Sequence, residues 1–203
     1  MSGKQDTSEL LQRAAAGDQR ALGDLFDRHR DRLRRMIKLR MDRRLQGRLD
    51  PSDVLQESYL EVARSLAEYL RDPRMPFFLW LRFITARKLH ALHRSHLGTQ
   101  IRNAGREISL HRGALPQASS ESLAARLLGR LTTPSQAAVR AELKLRIQEA
   151  LNSMSPLDRE VLALRHFEQL TNSEAAQVLG ISERAASNRF VRALRKLKKI
   201  LSA

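Results

Sequence analysis

The chain has 203 residues, which fits one large domain or two small ones. Its 37 Lys and Arg residues outnumber 22 Asp and Glu residues, and the net charge of +15 indicates a polyanionic partner, nucleic acid first and an anionic membrane surface second. The absence of cysteine excludes disulfides, cysteine-ligated zinc and thiol nucleophiles.

Leu, Ala and Arg dominate the composition and β-branched runs are scarce, which favours helices over strands. We therefore predict an all-α protein of two small helical domains, 8–98 and 139–201, joined by a partly irregular linker at 99–138. Gly, Pro, Ser and Thr mark the linker, which holds one short helical stretch near 121–131. Because no apolar run is long enough to span a membrane and the N-terminus is polar, we expect a cytoplasmic protein without membrane insertion.

Charge is distributed unevenly along the chain. Residues 28–48 hold ten Lys or Arg and two Asp, whereas residues 49–72 hold six acids and two Arg. Residues 82–106 and 182–203 are again strongly basic. We expect the basic stretches to face nucleic acid and the acidic stretch to face a basic protein surface. The alternative is that the basic runs are ordinary solvated helix faces.

The first informative element is an amphipathic helix that begins at Asp50-Pro51. Its apolar stripe consists of Leu55, Tyr59, Val62, Leu66 and Tyr69. Another face carries acids, namely Asp53, Glu57, Glu61 and Glu68. Outward acids are common on such helices, so this pattern alone does not distinguish a binding face from a solvated one.

The next element is the string FFLWLRFITARKLHALHR at 77–94, in which aromatic and basic residues are interleaved. Single-stranded nucleic acid needs rings that stack on unpaired bases and cations that hold the backbone. Phe77, Trp80 and Phe83 also recur at helical spacing, so we expect most of them to be core and the basic residues to be the better functional candidates. A metal site is the less favoured interpretation of the nearby histidines, His90, His93 and His96, since no carboxylate lies near them in sequence. We expect no metal and no cofactor.

Near the C-terminus, helix-start signals follow one another closely. Ser155-Pro156 is a cap followed by proline, and Thr171 with Glu174 forms a capping box. Gly180 then ends the short helix 172–179, and Ser182 begins another. This pattern predicts a helix-turn-helix at 171–197, with an ordinary helical hairpin as the alternative. We expect its buried stripe to continue through Leu179, Ile181, Ala186, Phe190 and Leu194.

Several side chains of the second helix lie largely off that stripe, where they can reach base edges in a major groove. These candidates are Arg184, Ser187, Asn188, Arg189 and Arg192. The basic residues that follow them are better placed for phosphates.

The strings DPSDVLQESYLEVARS, FFLWLRFITARKLHALHR, SPLDREVLALRHFEQLTNSEAAQVLGIS and RFVRALRKLKK, in this order and spacing, resemble extracytoplasmic-function (ECF) sigma factors. The resemblance covers most of residues 10–98 and 139–201. It implies a non-enzymatic transcription initiation factor that binds core RNA polymerase and promoter DNA, and that has an anti-sigma protein as a further candidate partner.

The resemblance also implies residue roles. Polymerase binding falls on Asp53, Gln56 and Glu57. Reading of the melted minus-ten element falls on residues 82–100, with the candidates Arg82, Arg87, Lys88, His93 and Arg94. Reading of the duplex minus-thirty-five element falls on the helix-turn-helix and its five candidates. The family often has Thr and Lys where this chain has Ala185 and Ser187, so no promoter preference is implied.

Two other function classes remain as alternatives. A stand-alone helix-turn-helix regulator with an N-terminal sensor or dimerisation domain would act without polymerase. A metal-dependent nuclease would use the histidines, but the acids are scattered and no glycine-rich phosphate loop is present.

Overall fold

The computed structural model describes residues 2–45, 47–97, 118–129 and 137–201. The chain divides into two compact units, residues 1–107 and 108–203. Within the described ranges the secondary structure consists of helices, without a β-strand, which confirms the predicted all-α fold. In those same ranges no helix is both long and apolar enough to cross a membrane.

The N-terminal unit contains α1 (Ser2–Ala15), α2 (Gln19–Arg40), a 3₁₀ turn (Arg43–Leu45), α3 (Pro51–Arg71) and α4 (Phe77–Leu97). Helix α2 is capped by Asp18, whose carboxylate accepts hydrogen bonds from two backbone N–H groups of the first turn. Helix α3 begins at a reciprocal capping box between Asp50 and Asp53, with Pro51 in its first turn. Both starts use side-chain oxygens to satisfy N–H groups that have no partner within the helix.

The core of this unit lies where α2 packs against α3 and α4. Its fully buried side chains include Leu25, Leu33, Met36, Ile37, Leu81 and Leu89. Burial of each such side chain contributes roughly 1.5–3 kcal/mol. The connection from α3 to α4 is held by Tyr69, whose hydroxyl donates a hydrogen bond to the Met75 carbonyl oxygen at 2.9 Å. The core therefore fixes α3 and α4 side by side.

The C-terminal unit contains α5 (Ser120–Leu128), α6 (Ala137–Asn152), α7 (Pro156–Leu162), a π-helical turn (Ala163–Phe167), α8 (Asn172–Leu179) and α9 (Glu183–Leu201). Helix α5 corresponds to the short helix expected near 121–131. It packs on α6 with Leu123 and Leu128 buried, and the hydroxyl of Ser120 accepts a hydrogen bond from Arg159 at 3.0 Å. This part of the predicted linker thus packs within the unit. Residues 99–117 and 130–136 of that linker lie outside the described residues, so its bounds stay a prediction.

The predicted helix starts and stop of the helix-turn-helix are confirmed. The Ser155 hydroxyl accepts the Asp158 N–H at 3.1 Å, and Thr171 and Glu174 form both hydrogen bonds of the capping box. Gly180 has φ 61° and ψ 39°, the left-handed conformation that glycine adopts without a steric penalty from Cβ. The turn from α8 into α9 therefore follows from local sequence.

The predicted buried stripe is wrong at Leu194, which is 39% exposed. Among the described side chains of α9, Ala186, Ala193 and Leu197 are buried, whereas Phe190 is only half-buried. At about 100° per residue, Ala193 and Leu197 lie within about 20° of Ala186, whereas Leu194 is rotated by about 80°. Residues spaced regularly by four, as in the predicted stripe, move progressively around the helix. Residues spaced alternately by four and three stay on one side of it.

Candidate nucleic-acid interface

The start of α9 presents three candidate side chains on one exposed face. Arg184, Ser187 and Asn188 are all exposed, and their spacing of three and four residues places them together. The side-chain amide of Asn172, at the start of α8, donates a hydrogen bond to the Glu183 carbonyl oxygen at 2.8 Å. This bond and the Gly180 turn fix the first turn of α9 against α8, so the exposed face has a defined direction.

The other two α9 candidates are directed towards α7. Nη1 of Arg189 donates a hydrogen bond to Oδ1 of Asp158 at 2.8 Å, and Nη1 of Arg192 lies 3.6 Å from Oδ2 of the same carboxylate. Asp158 is buried. The Arg192 side chain remains 65% exposed, whereas that of Arg189 is 30% exposed. Arg189 is therefore not part of the exposed set.

In α4 a narrow stripe combines aromatic and basic side chains. Trp80 and Phe83 are half-buried, and Arg87 and Arg94 are exposed, at spacings of three, four and seven residues. The Arg87 guanidinium lies over the Phe83 ring, 5.8 Å from its centroid. Phe77 is buried, as expected for a core ring. Trp80 and Phe83, by contrast, keep part of each ring at the surface.

The aromatic rings at the start of α4, buried Phe78 and half-buried Trp80, are held by neighbours within the unit. The Trp80 ring stacks on that of Tyr69 with centroids 4.5 Å apart, and the Arg32 guanidinium lies 3.5 Å from the centroid of Phe78. Burial raises the pKa of Tyr69, so its hydroxyl stays protonated at neutral pH. The aromatic part of α4 is thus anchored to α2 and α3.

Two of the predicted minus-ten residues lie in the interior. Arg82 is 6% exposed and His93 is 5% exposed. The Asp42 backbone N–H donates a hydrogen bond to Nε2 of His93 at 3.3 Å, and burial lowers the pKa of His93. Neutral His93 therefore joins α4 to the turn after α2. The structure does not bring Arg82 and His93 to the exposed stripe.

Lys88 occupies an intermediate place. Its ammonium lies 3.0 Å from Oε2 of Glu61 on α3, and hydrogen bonding from Lys88 lowers the pKa of Glu61. Both side chains are about one-third exposed, so the pair is accessible but its charge is largely compensated.

The three predicted polymerase-binding residues are exposed on the first turns of α3. Oδ2 of Asp53 also accepts the Asp50 N–H at 2.9 Å, so this residue caps the helix. Gln56 and Glu57 follow one turn later, and exposed Leu60 continues the same face. Leu60 was not among the residues predicted for this face, although its position seven residues after Asp53 places it there. The result is an acidic surface with one apolar side chain.

Metal ligation has no geometric support in the described residues, where no three His, Asp or Glu side chains are placed to hold an ion. The role of Asp158 as a partner of two α9 arginines was not predicted from the sequence. An acid at the third position of a helix is usually exposed, and nothing in its local sequence indicates burial.

Comparisons with known proteins agree on one family. The family model for sigma-70, region 4, matches residues 144–197, which include α8 and α9. The sigma factor CnrH of Cupriavidus metallidurans is 30% identical over 196 residues, 96% of this chain and 93% of the relative. The ECF sigma factor SigD of Mycobacterium tuberculosis is 29% identical over 189 residues, 93% of this chain and 81% of the relative. The chain belongs to the ECF sigma factor family.

This sigma factor is a promoter-specific transcription initiation factor, and the family itself is non-catalytic. A solved structure of CnrH in complex with the cytosolic domain of CnrY is similar to this chain, with a TM-score of 0.55 and 27% sequence identity. The similarity covers 97% of each chain. Region 4 of the family is a helix-turn-helix domain, in agreement with α8 and α9.

Proposed function

We propose that this sigma factor reads its promoter through two separate surfaces and binds core RNA polymerase through a third. Helix α9 reads the duplex minus-thirty-five element, α4 binds the melted minus-ten element, and the start of α3 docks on polymerase. The observation that carries the proposal is the exposed face of Arg184, Ser187 and Asn188, directly after the left-handed Gly180 turn.

For the minus-thirty-five element, the proposal assigns base contacts to the first two turns of α9. Arginine recognises guanine and asparagine recognises adenine through paired hydrogen bonds, each worth about 1–3 kcal/mol of discrimination. Arg184 and Asn188 are exposed for that role. The exposed Arg192 side chain is placed for phosphate.

For the minus-ten element, the proposal uses the exposed stripe of α4. A base stacked on the Phe83 ring would contribute about 1–3 kcal/mol, while Arg87 and Arg94, further along the same helix, hold the phosphate backbone. Lys88 joins them if DNA displaces Glu61. Residues 98–100 of the segment assigned to this element lie outside the described residues.

For polymerase, the proposal uses the acidic face that continues through Gln56, Glu57 and Leu60. Acids against a basic partner give orientation, and the apolar side chain of Leu60 adds buried area. This placement puts the protein in the cytoplasm with the polymerase. CnrH has been solved with the cytosolic domain of CnrY, and by that likeness we include a restraining anti-sigma protein among the proposed partners.

Glu57→Lys tests polymerase docking. The charge reversal is expected to abolish capture of core polymerase while DNA binding by the C-terminal helix-turn-helix is unchanged. Glu68→Lys is the matched control because Glu68 is exposed on the same side of α3, about 16 Å further along. Capture of polymerase by the Glu57 variant at the wild-type level would contradict the proposal.

Sequencing of the DNA bound by the complex with core polymerase tests promoter recognition and supplies the promoter. Run-off transcription from the recovered DNA should require both core polymerase and this protein. Promoter binding that is equally strong without polymerase would instead favour the stand-alone regulator.

A further inference from the structure

We propose that Asp158 of α7 is a positioning residue for the DNA-reading helix. Asp158 holds Arg189 away from DNA, and Arg189 in turn masks the Asp158 carboxylate from the phosphate backbone. This inference rests on the proposed function of α9, and it reassigns Arg189 from a base reader to an internal counter-ion.

The geometry separates the two arginines that approach Asp158. Arg189 donates a direct hydrogen bond of 2.8 Å, whereas Arg192 lies 3.6 Å from the other carboxylate oxygen. The Asp158 side chain is 8% exposed, and its backbone N–H is held by Ser155. The carboxylate is therefore fixed at the start of α7, with one arginine bound closely and the other loosely.

Physical chemistry requires a close partner for this carboxylate. Removing a charge from water is unfavourable unless the charge is paired and hydrogen-bonded. Arg189 meets that need with a charge-assisted bond. Arg192 supplies only a nearby positive charge and keeps most of its side chain in solvent, so it can turn to a phosphate while Asp158 stays paired.

The pair also bears on how α9 meets DNA. Arg189 directly follows Asn188 in α9, so its tie to α7 restricts rotation of the helix about its axis. That rotation decides whether Arg184 and Asn188 point into the groove. An uncompensated carboxylate at the same place would repel the phosphates that flank the groove. The pair therefore controls both direction and local charge.

The test uses the full-length protein assembled with core polymerase and two duplex probes. One probe carries the minus-thirty-five element recovered in the sequencing experiment, and the other is a scrambled duplex. Arg189→Gln is expected to weaken binding to the first probe by about tenfold, since it unmasks the carboxylate. Adding Asp158→Asn in the same chain should restore most of that loss, because the Asn and Gln amides are neutral and can hydrogen-bond to each other.

A direct DNA contact by Arg189 gives a different result and would overturn the inference. The double variant would then stay as weak as Arg189→Gln, and both would show a salt dependence lower by about one charge. A merely structural role also overturns it: both variants would unfold at lower urea concentration but bind the probe like wild type.

A second variant keeps the test decisive if Arg189→Gln does not fold. Asp158→Asn alone releases the Arg189 charge, so binding to the scrambled duplex should tighten severalfold and become steeper with salt. No change in either quantity overturns the inference. The control is Glu121→Gln with Lys144→Gln, an ion pair of 3.4 Å between α5 and α6, and it should bind both probes like wild type.

Failure of the proposed function is recognisable separately. If wild-type holoenzyme does not prefer the probe with the minus-thirty-five element to the scrambled one, the assignment of α9 to that element is wrong. The inference about Asp158 is then wrong as well. If wild type shows the preference and Arg189→Gln keeps both its affinity and its preference, only the inference is wrong.

Discussion

Helices α4 and α9 are both long and basic, yet they bury different kinds of residue. Helix α4 packs against α2, α3 and the 3₁₀ turn, and it buries large residues such as Leu81 and Leu89 together with Arg82 and His93. The buried positions of α9 include two alanines and Leu197. Most of its basic side chains therefore lie at the surface, whereas those of α4 are divided between surface and interior.

The difference shows that a basic residue in a predicted DNA-binding helix has no fixed role. Arg184 and Arg82 are both arginines of such helices, but Arg184 is exposed, as the proposed DNA contact requires, whereas Arg82 is buried. Arg189 lies between these cases, since it is on the helix proposed to read DNA and is directed inward to Asp158. Function follows from which side of the helix its neighbours cover.

The largest expected contrast is in stability. Leu89→Ala in α4 removes a fully buried side chain and should cost about 2–5 kcal/mol. Leu194→Ala in α9 removes one that is 39% exposed and should cost less than about 1 kcal/mol. Urea unfolding measures both losses: the fluorescence of Trp80, the only tryptophan, follows the N-terminal unit alone, and circular dichroism follows the helices of both units, so that the C-terminal transition is the part of the dichroism change that Trp80 does not share. Equal losses would remove the contrast between the helices.

The next contrast is in DNA selectivity. Arg184→Ala should lower the discrimination between correct and incorrect bases by about 1–3 kcal/mol at one base pair of the minus-thirty-five element. Arg87→Gln in α4 should instead weaken holoenzyme binding to promoter DNA similarly for all sequences and lower the salt dependence by about one charge. Competition binding with single-base variants and a salt titration measure these effects. If the Arg87 variant lost affinity for some promoter sequences and not for others, the assignment of Arg87 to the DNA phosphate backbone would be wrong.

Local signals in the sequence were enough to place the caps and the turn of the helix-turn-helix. The Thr171–Glu174 box and Gly180 act within a few residues, so their chemistry is visible in the sequence. The burial of His93 and of Asp158 was not predictable in this way. His93 bonds to a residue 51 positions away, and Arg189 to one 31 positions away. Periodicity tells which residues share a face but not which distant element covers it.

The smallest expected effect is the pH dependence of the N-terminal unit, which follows from buried His93. Its pKa is lowered in the folded protein, so below about pH 6.5 the unfolded chain binds a proton that the folded chain does not. Stability should be full above about pH 6.5 and fall as the pH drops towards the folded pKa, by at most about 1.4 kcal/mol per pH unit for this group. Burial also lowers the pKa of His90, which adds in the same window.

The contribution of His93 can be separated from those of the other groups. Asp42, whose pKa the Arg44 hydrogen bond lowers to about 2, loses its stabilisation only below about pH 4. His93→Gln keeps an acceptor for the Asp42 N–H but cannot titrate, so its urea midpoint should vary less than wild type between about pH 7 and 5. His96→Gln, at an exposed site, should retain the wild-type dependence. If the urea midpoint changed equally with pH in His93→Gln and in wild type, buried His93 would not be the source of the pH dependence. Helices α4 and α9 would then not differ in this respect.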